Sequence, residues 1–174
     1  MTTNSTSATT FSMPSDLEIV MSRVFDAPRE LVWKAVTEPR HLAQWWGPRE
    51  YTLSVCEVDL RPGGAWHFVH RAPDGNEYPF RGVYREVAPP ERLVNTQIFD
   101  VEPYSSLTLL VTITLTAVGD RQTLLTSTSL FESTEHRDGM VASGMRKGAT
   151  DSFERLAELL HTLVASGGSN AATA

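Results

Sequence analysis

Histidine is the residue type in this sequence best suited to acid–base or metal chemistry, and the chain contains 5 of them. His67 and His70 lie three residues apart on a predicted strand, so they point to opposite faces and do not share a metal ion. His41, His136 and His161 lie on or beside predicted helices without a paired ligand. We therefore predict no metal site and no cofactor.

His70 and Tyr84 are the two candidate acid–base residues. A histidine among aromatic side chains needs a carboxylate or hydroxyl to orient it as a general base, and Ser129 and Tyr84 are the available hydroxyls. The alternative is a hydrogen-bonded histidine in the wall of a cavity. No nucleophile motif is visible, because Cys56 lies on a predicted strand without a recognisable activator. Whether the protein is an enzyme stays open at this point.

These side chains are positioned by a predicted series of antiparallel strands, since short turn sequences separate neighbouring strands. In the hairpin about the turn at 73–76, the even-numbered residues share one face, and Gly82 leaves space for the ring of Trp66. In the hairpin about 119–120, pairing odd with odd residues separates polar from apolar side chains best. The predicted inner face therefore carries Trp66, Phe68, His70, Tyr78, Phe80, Tyr84, Leu109, Val111, Ile113, Ser127 and Ser129.

A change of hydrophobic period divides the chain near Ser133 or Thr134, where strand-like alternation gives way to apolar residues at every third or fourth position. This period predicts one long amphipathic helix that contains Gly144 and Gly148. The register of strand 92–100 stays open, because either parity places apolar residues inside. The predicted order is β-α-α-β-β-β-β-β-β-α, with strands near 17–25, 51–59, 64–71, 77–87, 92–100, 107–118 and 121–131, and with Val141, Met145, Ala149 and Ser152 closing the interior from the helix.

The composition excludes several classes of protein. The 174 residues carry a formal charge of −6, which disfavours binding to nucleic acid, and the longest apolar stretch is too short to span a membrane. The single cysteine forms no internal disulfide, so we expect a cytoplasmic protein. The polar ends predict a disordered N-terminal tail at 1–16, one domain at 17–165 and a disordered C-terminal tail at 166–174.

Several sequence segments in the same order resemble the SRPBCC superfamily, and in particular the bacterial branch related to the C-terminal domain of the heat-shock-protein ATPase activator. The resemblance spans about 17–163 and implies an α+β helix-grip fold, in which a curved antiparallel sheet wraps around a long C-terminal helix and a deep hydrophobic cavity. The segments are FDAPRELVWKAVTEP (25–39), HLAQWWGP (41–48), RPGG (61–64), FRGVYREVAPPERL (80–93) and SGMRKGATDSFERLAELL (143–160).

The aromatic inner face favours binding of a hydrophobic small molecule, aromatic or lipid-like, in this cavity. Trp46 would contact the ligand at the pocket mouth, because an indole combines apolar area with an N–H donor. One alternative is a cyclase, aromatase or hydrolase that uses the same cavity. Another is a protein-interaction module, linked to a chaperone or forming a homodimer through a sheet edge or the helix glycines.

Overall fold

The computed structural model describes residues 8–171, with side chains through residue 167. It has eight strands and four helices in this range. In chain order they are β1 (Thr10–Ser12), β2 (Glu18–Phe25), α1 (Arg29–Thr37), α2 (Pro39–Trp45), β3 (Thr52–Val58), β4 (Ala65–Arg71), β5 (Glu77–Ala88), β6 (Arg92–Phe99), β7 (Thr108–Gly119), β8 (Gln122–Leu130), α3 (Thr134–Ala142) and α4 (Met145–Ala171).

All eight strands form one antiparallel sheet in the order β1-β2-β8-β7-β6-β5-β4-β3. The helices cover its concave face, and α4 packs there through apolar residues at three- and four-residue spacing. Phe153 of α4 meets Phe25 of β2 edge to face, with ring centroids 5.9 Å apart, and Leu156 and Leu160 are almost fully buried beside them. The predicted α+β helix-grip fold is confirmed.

The alternation of side chains along the strands places the predicted residues on the inner face of the sheet. His70 pairs with Tyr78, and Trp66 pairs with Gly82, whose missing side chain leaves room for the indole ring. In the hairpin of β7 and β8, odd residues pair with odd residues, as in the pair Ile113 and Ser127. The structure also settles the open register of β6, because Leu93, Asn95 and Gln97 line the interior.

The predicted single C-terminal helix is in fact two helices. Gly144 lies between α3 and α4 with φ of +88°, a left-handed conformation that glycine adopts without steric cost. The apolar period continues across this break, which is why the sequence pattern did not show it. The serine at 133 caps α3, its hydroxyl accepting a 3.0 Å hydrogen bond from the N–H of His136.

The structure also forms regular elements in parts of both segments that the sequence predicts to be disordered tails. Thr10–Ser12 forms β1 on the edge of the sheet, where Phe11 pairs with Met21 and packs against the core. Arg146 of α4 lies over the Phe11 ring, with 4.6 Å from the guanidinium carbon to the ring centroid. At the other end α4 continues to residue 171, since no proline interrupts it. Residues 1–7 and 172–174 of the predicted tails lie outside the described residues.

Candidate functional site

The indole of Trp46 occupies the centre of the aromatic part of the concave face. Trp46 directly follows α2, and its backbone is extended, with φ of −71° and ψ of 114°, so the chain turns away from the helix axis at this residue. Its ring contacts those of four inner-face residues. The centroid distances are 4.8 Å to His70, 5.0 Å to Phe68, 5.0 Å to Phe80 and 6.4 Å to Trp66.

The loop that carries this indole, residues 46–48, is held through its backbone by side chains far away in sequence. The N–H of Gly47 donates a 2.7 Å hydrogen bond to the hydroxyl of Ser152. Arg155 donates to the carbonyl oxygens of Gly47, Pro48 and Gln44 at 3.0, 3.2 and 2.8 Å. Both of these side chains belong to α4, so the loop is fastened to that helix.

His70 fastens the same loop from the sheet. Its Nε2 lies 3.1 Å from the carbonyl oxygen of Trp46, and because a carbonyl only accepts, this nitrogen carries the proton. Gly47 has φ of +110°, and a Cβ there would lie 2.1 Å from Nε2, so only glycine permits this close approach. Burial lowers the pKa of His70 and keeps the ring neutral, against the smaller opposing effect of its bond to Trp46.

This geometry favours the alternative role of His70, a hydrogen-bonded histidine in the wall of the interior, over its candidate role as a general base. In the described part of the chain, neither Ser129 nor Tyr84 hydrogen-bonds to it, so no hydroxyl orients its ring as a general base needs. Burial also raises the pKa of the Tyr84 hydroxyl, with the nearby Cys56 thiol adding to the effect, so the phenol stays neutral. Burial raises the pKa of Cys56 itself to about 11, which keeps its thiol protonated.

A cavity of about 70 Å³ lies beside the Trp46 indole, between the sheet and the pair α1 and α2. Most of its walls are aliphatic or aromatic, and none of the residues around it is charged. Its lining consists of Val36, Leu42, Trp45, Trp46, Trp66, Phe68, Tyr84, Leu93, Asn95, Gln97, Val111 and Ile113.

Three polar side chains in this lining have hydrogen-bonding capacity left over. Tyr84 and Asn95 are only 4% and 8% exposed, and Gln97 is half-buried. The amide N–H of Asn95 donates to the carbonyl of Thr96 at 3.0 Å, which leaves its side-chain oxygen unpaired. Within residues 8–167, nothing hydrogen-bonds to the Tyr84 hydroxyl or the Gln97 amide. Such a group costs about 1–3 kcal/mol when it finds neither protein nor water nor ligand.

The structure brings together some of the predicted site residues and separates others. Trp46, Trp66, Phe68, Tyr84, Val111 and Ile113 line the cavity, whereas His70 and Phe80 contact the Trp46 ring from outside it. Among the other predicted residues, Tyr78 stacks on Tyr51 with ring centroids 6.0 Å apart, and Leu109 is buried in the core. Ser127 and Ser129 are half-buried in β8, where they pair with β7. Val141, Met145 and Ala149 are half-buried against the core, and Ser152 accepts the hydrogen bond from Gly47.

Half of the lining was missed by sequence reasoning. Leu93, Asn95 and Gln97 are every second residue of β6 and so share one face of the sheet. This pattern became informative only once the register of β6 was known. Trp45 of α2 also lines the cavity, and its indole N–H donates to the carbonyl of Ala35 at 2.8 Å. Val36 and Leu42 belong to the apolar faces of α1 and α2 and carried no signal that separates cavity lining from core.

The described residues contain no group of three or more side chains that could hold a metal ion. Over the same range, no helix is long and apolar enough to cross a membrane.

The chain resembles a known protein family and several solved structures. The solved structures that resemble it include proteins from Nitrosomonas europaea (29% identity, TM-score 0.77, covering 88% of this chain and 99% of that one), from Rhodobacter sphaeroides (25%, 0.80, 89% and 99%) and from Chromobacterium violaceum (30%, 0.71, 82% and 96%). No curated protein matches the sequence. The family model described as Activator of Hsp90 ATPase homolog 1-like protein matches residues 26–161, which confirms the resemblance seen in the motifs. The chain therefore belongs to the family of Activator of Hsp90 ATPase homolog 1-like proteins.

Proposed function

We propose that this protein binds a hydrophobic small molecule between its sheet and its helices. The binding site includes the cavity beside Trp46 and the space that the indole of Trp46 now fills. The observation that carries the proposal is an apolar cavity in which Tyr84, Asn95 and Gln97 keep hydrogen-bonding atoms without protein partners. Ligand pockets have this composition, mostly apolar with a few polar groups that fix orientation. A fully packed core leaves neither the space nor the unpaired groups.

The cavity must enlarge to accept a ligand. Its 70 Å³ is room for about two water molecules, whereas pockets for drug-sized ligands measure roughly 300–1,000 Å³. Displacement of the Trp46 indole would enlarge the cavity towards His70 and Phe80, because this ring lines the cavity and contacts both of those residues from it. A ligand would therefore take the place of this indole.

The covering segment, residues 134–151 of α3 and early α4, offers the route for that displacement. His136 is its only buried residue, and its apolar side chains Met140, Val141, Met145 and Ala149 are all half-buried. Gly148 lies beside Pro48, so the segment touches the loop that carries Trp46. A shift of this segment would release Pro48 and leave the loop held by Ser152, Arg155 and His70.

A cavity-filling variant tests the proposal. Val111→Phe puts a ring into the cavity, and Val83→Phe is the matched control, since Val83 is 40% exposed on the same sheet. The probe is indole, followed through the four tryptophan side-chain N–H signals in ¹H–¹⁵N spectra. We expect Trp46 and Trp66 to shift in wild type and in Val83→Phe, with Trp33 unmoved, and at least a 10-fold loss of affinity in Val111→Phe.

Two results would contradict the proposal. One is that indole shifts no cavity signal, even in Trp46→Ala, where an indole-sized space has been created. The other is that Val111→Phe and Val83→Phe bind indole equally, which would place the probe elsewhere. If indole binds in the cavity as expected, native mass spectrometry of the protein isolated from its own cells would identify the natural ligand. Homodimer formation and a cytoplasmic location stay predictions.

A further inference from the structure

We infer that Tyr84, Asn95 and Gln97 form a hydrogen-bonding subsite that selects ligands with an uncharged hydroxyl or carbonyl group. The inference rests on the proposed function and names the class of molecule that the cavity would take. It assigns to these three residues the recognition of the ligand's polar end, and to the aromatic walls the recognition of its apolar body.

The sheet places the three side chains together. Tyr84 of β5 is paired directly with Asn95 of β6, and directly paired residues point to the same face of a sheet. Gln97 lies two residues further along β6, which returns it to that face. All three line the same cavity, and Tyr84 and Asn95 are more than nine-tenths buried. The subsite is therefore built on two adjacent strands, which hold its geometry more firmly than a loop would.

Their unpaired atoms complement one small polar group. The Tyr84 hydroxyl donates one hydrogen bond, the Asn95 oxygen accepts, and the Gln97 amide does both. A ligand hydroxyl can accept from Tyr84 and donate to the side-chain oxygen of Asn95 or Gln97, and a ligand carbonyl can accept from Tyr84 and Gln97. Without a ligand, water would hydrogen-bond to the same three side chains, so the ligand's polar atom takes the place of a bound water.

The electrostatics of the cavity exclude an ionised ligand group. Its lining contains no Asp, Glu, Lys, Arg or His, so a carboxylate or ammonium would enter without a counter-charge. Arg23, a buried cation of β2, lies outside the lining. His70 faces the Trp46 ring and is committed to a backbone carbonyl, so it supplies no charge either. The burial that raises the pKa of Tyr84 keeps its hydroxyl a neutral donor.

The test titrates the full chain with three single-ring probes, phenol, toluene and benzoate, by calorimetry and ¹H–¹⁵N spectra. Each probe is also titrated into Trp46→Ala, which has more space. We expect phenol to bind about 5-fold to 10-fold tighter than toluene, the usual net gain from one or two hydrogen bonds, and benzoate to bind weakest. Tyr84→Phe and Gln97→Met should remove most of the preference for phenol and leave toluene binding unchanged. Tyr78→Phe, the same change at a β5 position outside the cavity lining, should leave all three affinities unchanged.

The outcomes separate this inference from the function on which it rests. Binding of toluene equal to that of phenol, or tighter binding of benzoate, would overturn the uncharged polar subsite while the hydrophobic site stands. A phenol preference that persists in both Tyr84→Phe and Gln97→Met would overturn the assignment of these residues. If one variant fails to fold by circular dichroism, the other decides. No binding of any probe to wild type or Trp46→Ala would overturn the proposed function itself.

Discussion

The middle and the first turns of α4 are packed very differently. In the middle, Leu156 and Leu160 are 0% and 1% exposed. In the first turns, Met145 and Ala149 are half-buried. Burial of apolar area is the main favourable term in folding, so the middle of α4 contributes more stability than its first turns do.

The largest expected effect distinguishes the middle of α4 from its first turns. Leu156→Ala should lower the free energy of unfolding by about 2–5 kcal/mol, because it leaves a cavity in a tightly packed site. Met145→Ala should cost only about 1 kcal/mol or less, since that side chain is already half-exposed to solvent. Urea-induced unfolding monitored by circular dichroism measures both. Equal losses would show that the first turns of α4 are packed as firmly as the rest.

The next effect concerns how firmly the loop carrying Trp46 is held. Gly47→Ala combines an unfavourable φ of +110° with a Cβ that would lie 2.1 Å from His70, so we expect a loss of about 2–3 kcal/mol. Gly75→Ala is the matched control, because Gly75 has φ of +88° and no neighbour within 4 Å of its Cβ. It should cost about 1 kcal/mol. If the two variants are equally stable, the contact with His70 contributes nothing.

The smallest expected effect is a pH dependence of the same loop. Burial places the pKa of folded His70 below its ordinary value of 6.5, so the unfolded state takes up the proton first as the pH falls. The contribution of His70 to stability is therefore constant above about pH 6.5, declines below it, and is fully lost once the pH falls past the folded pKa. Buried His41 and His136 shift in the same direction, so they add to the decline.

The His70→Gln variant isolates the share of this residue, because glutamine can still donate to the Trp46 carbonyl but does not titrate. Urea unfolding at pH 7 and pH 5 should show a smaller loss on acidification in His70→Gln than in wild type. His161→Gln, exposed on α4, is the control and should behave as wild type. An unchanged loss in His70→Gln would mean that His70 does not contribute to the pH dependence.

The sequence predicted best what depends on local alternation. The pleat of a strand fixes which residues share a face, so the pairs Trp66 with Gly82 and His70 with Tyr78 followed from the turn between β4 and β5. The family motifs likewise predicted the fold, because they span nearly the whole domain.

What the sequence did not predict depends on contacts between distant residues. The position of the Trp46 indole follows from Ser152 and Arg155, more than 100 residues away, which hold its loop by the backbone. The break at Gly144 left the apolar period intact, so only the backbone angle reveals it. A polar N-terminal composition concealed Phe11, a single aromatic residue that joins the core.

The anchoring of the loop at 46–48 has a consequence for how the volume of the proposed site can change. Ser152, Arg155 and His70 bind only main-chain atoms of the loop, and every L-amino acid except proline presents the same main-chain atoms at position 46. The side chain there can therefore be exchanged with these anchors in place, and each exchange changes the free volume beside Tyr84, Asn95 and Gln97. Position 46 is thus a single residue at which sequence variation resizes the interior while the backbone of the loop stays bound.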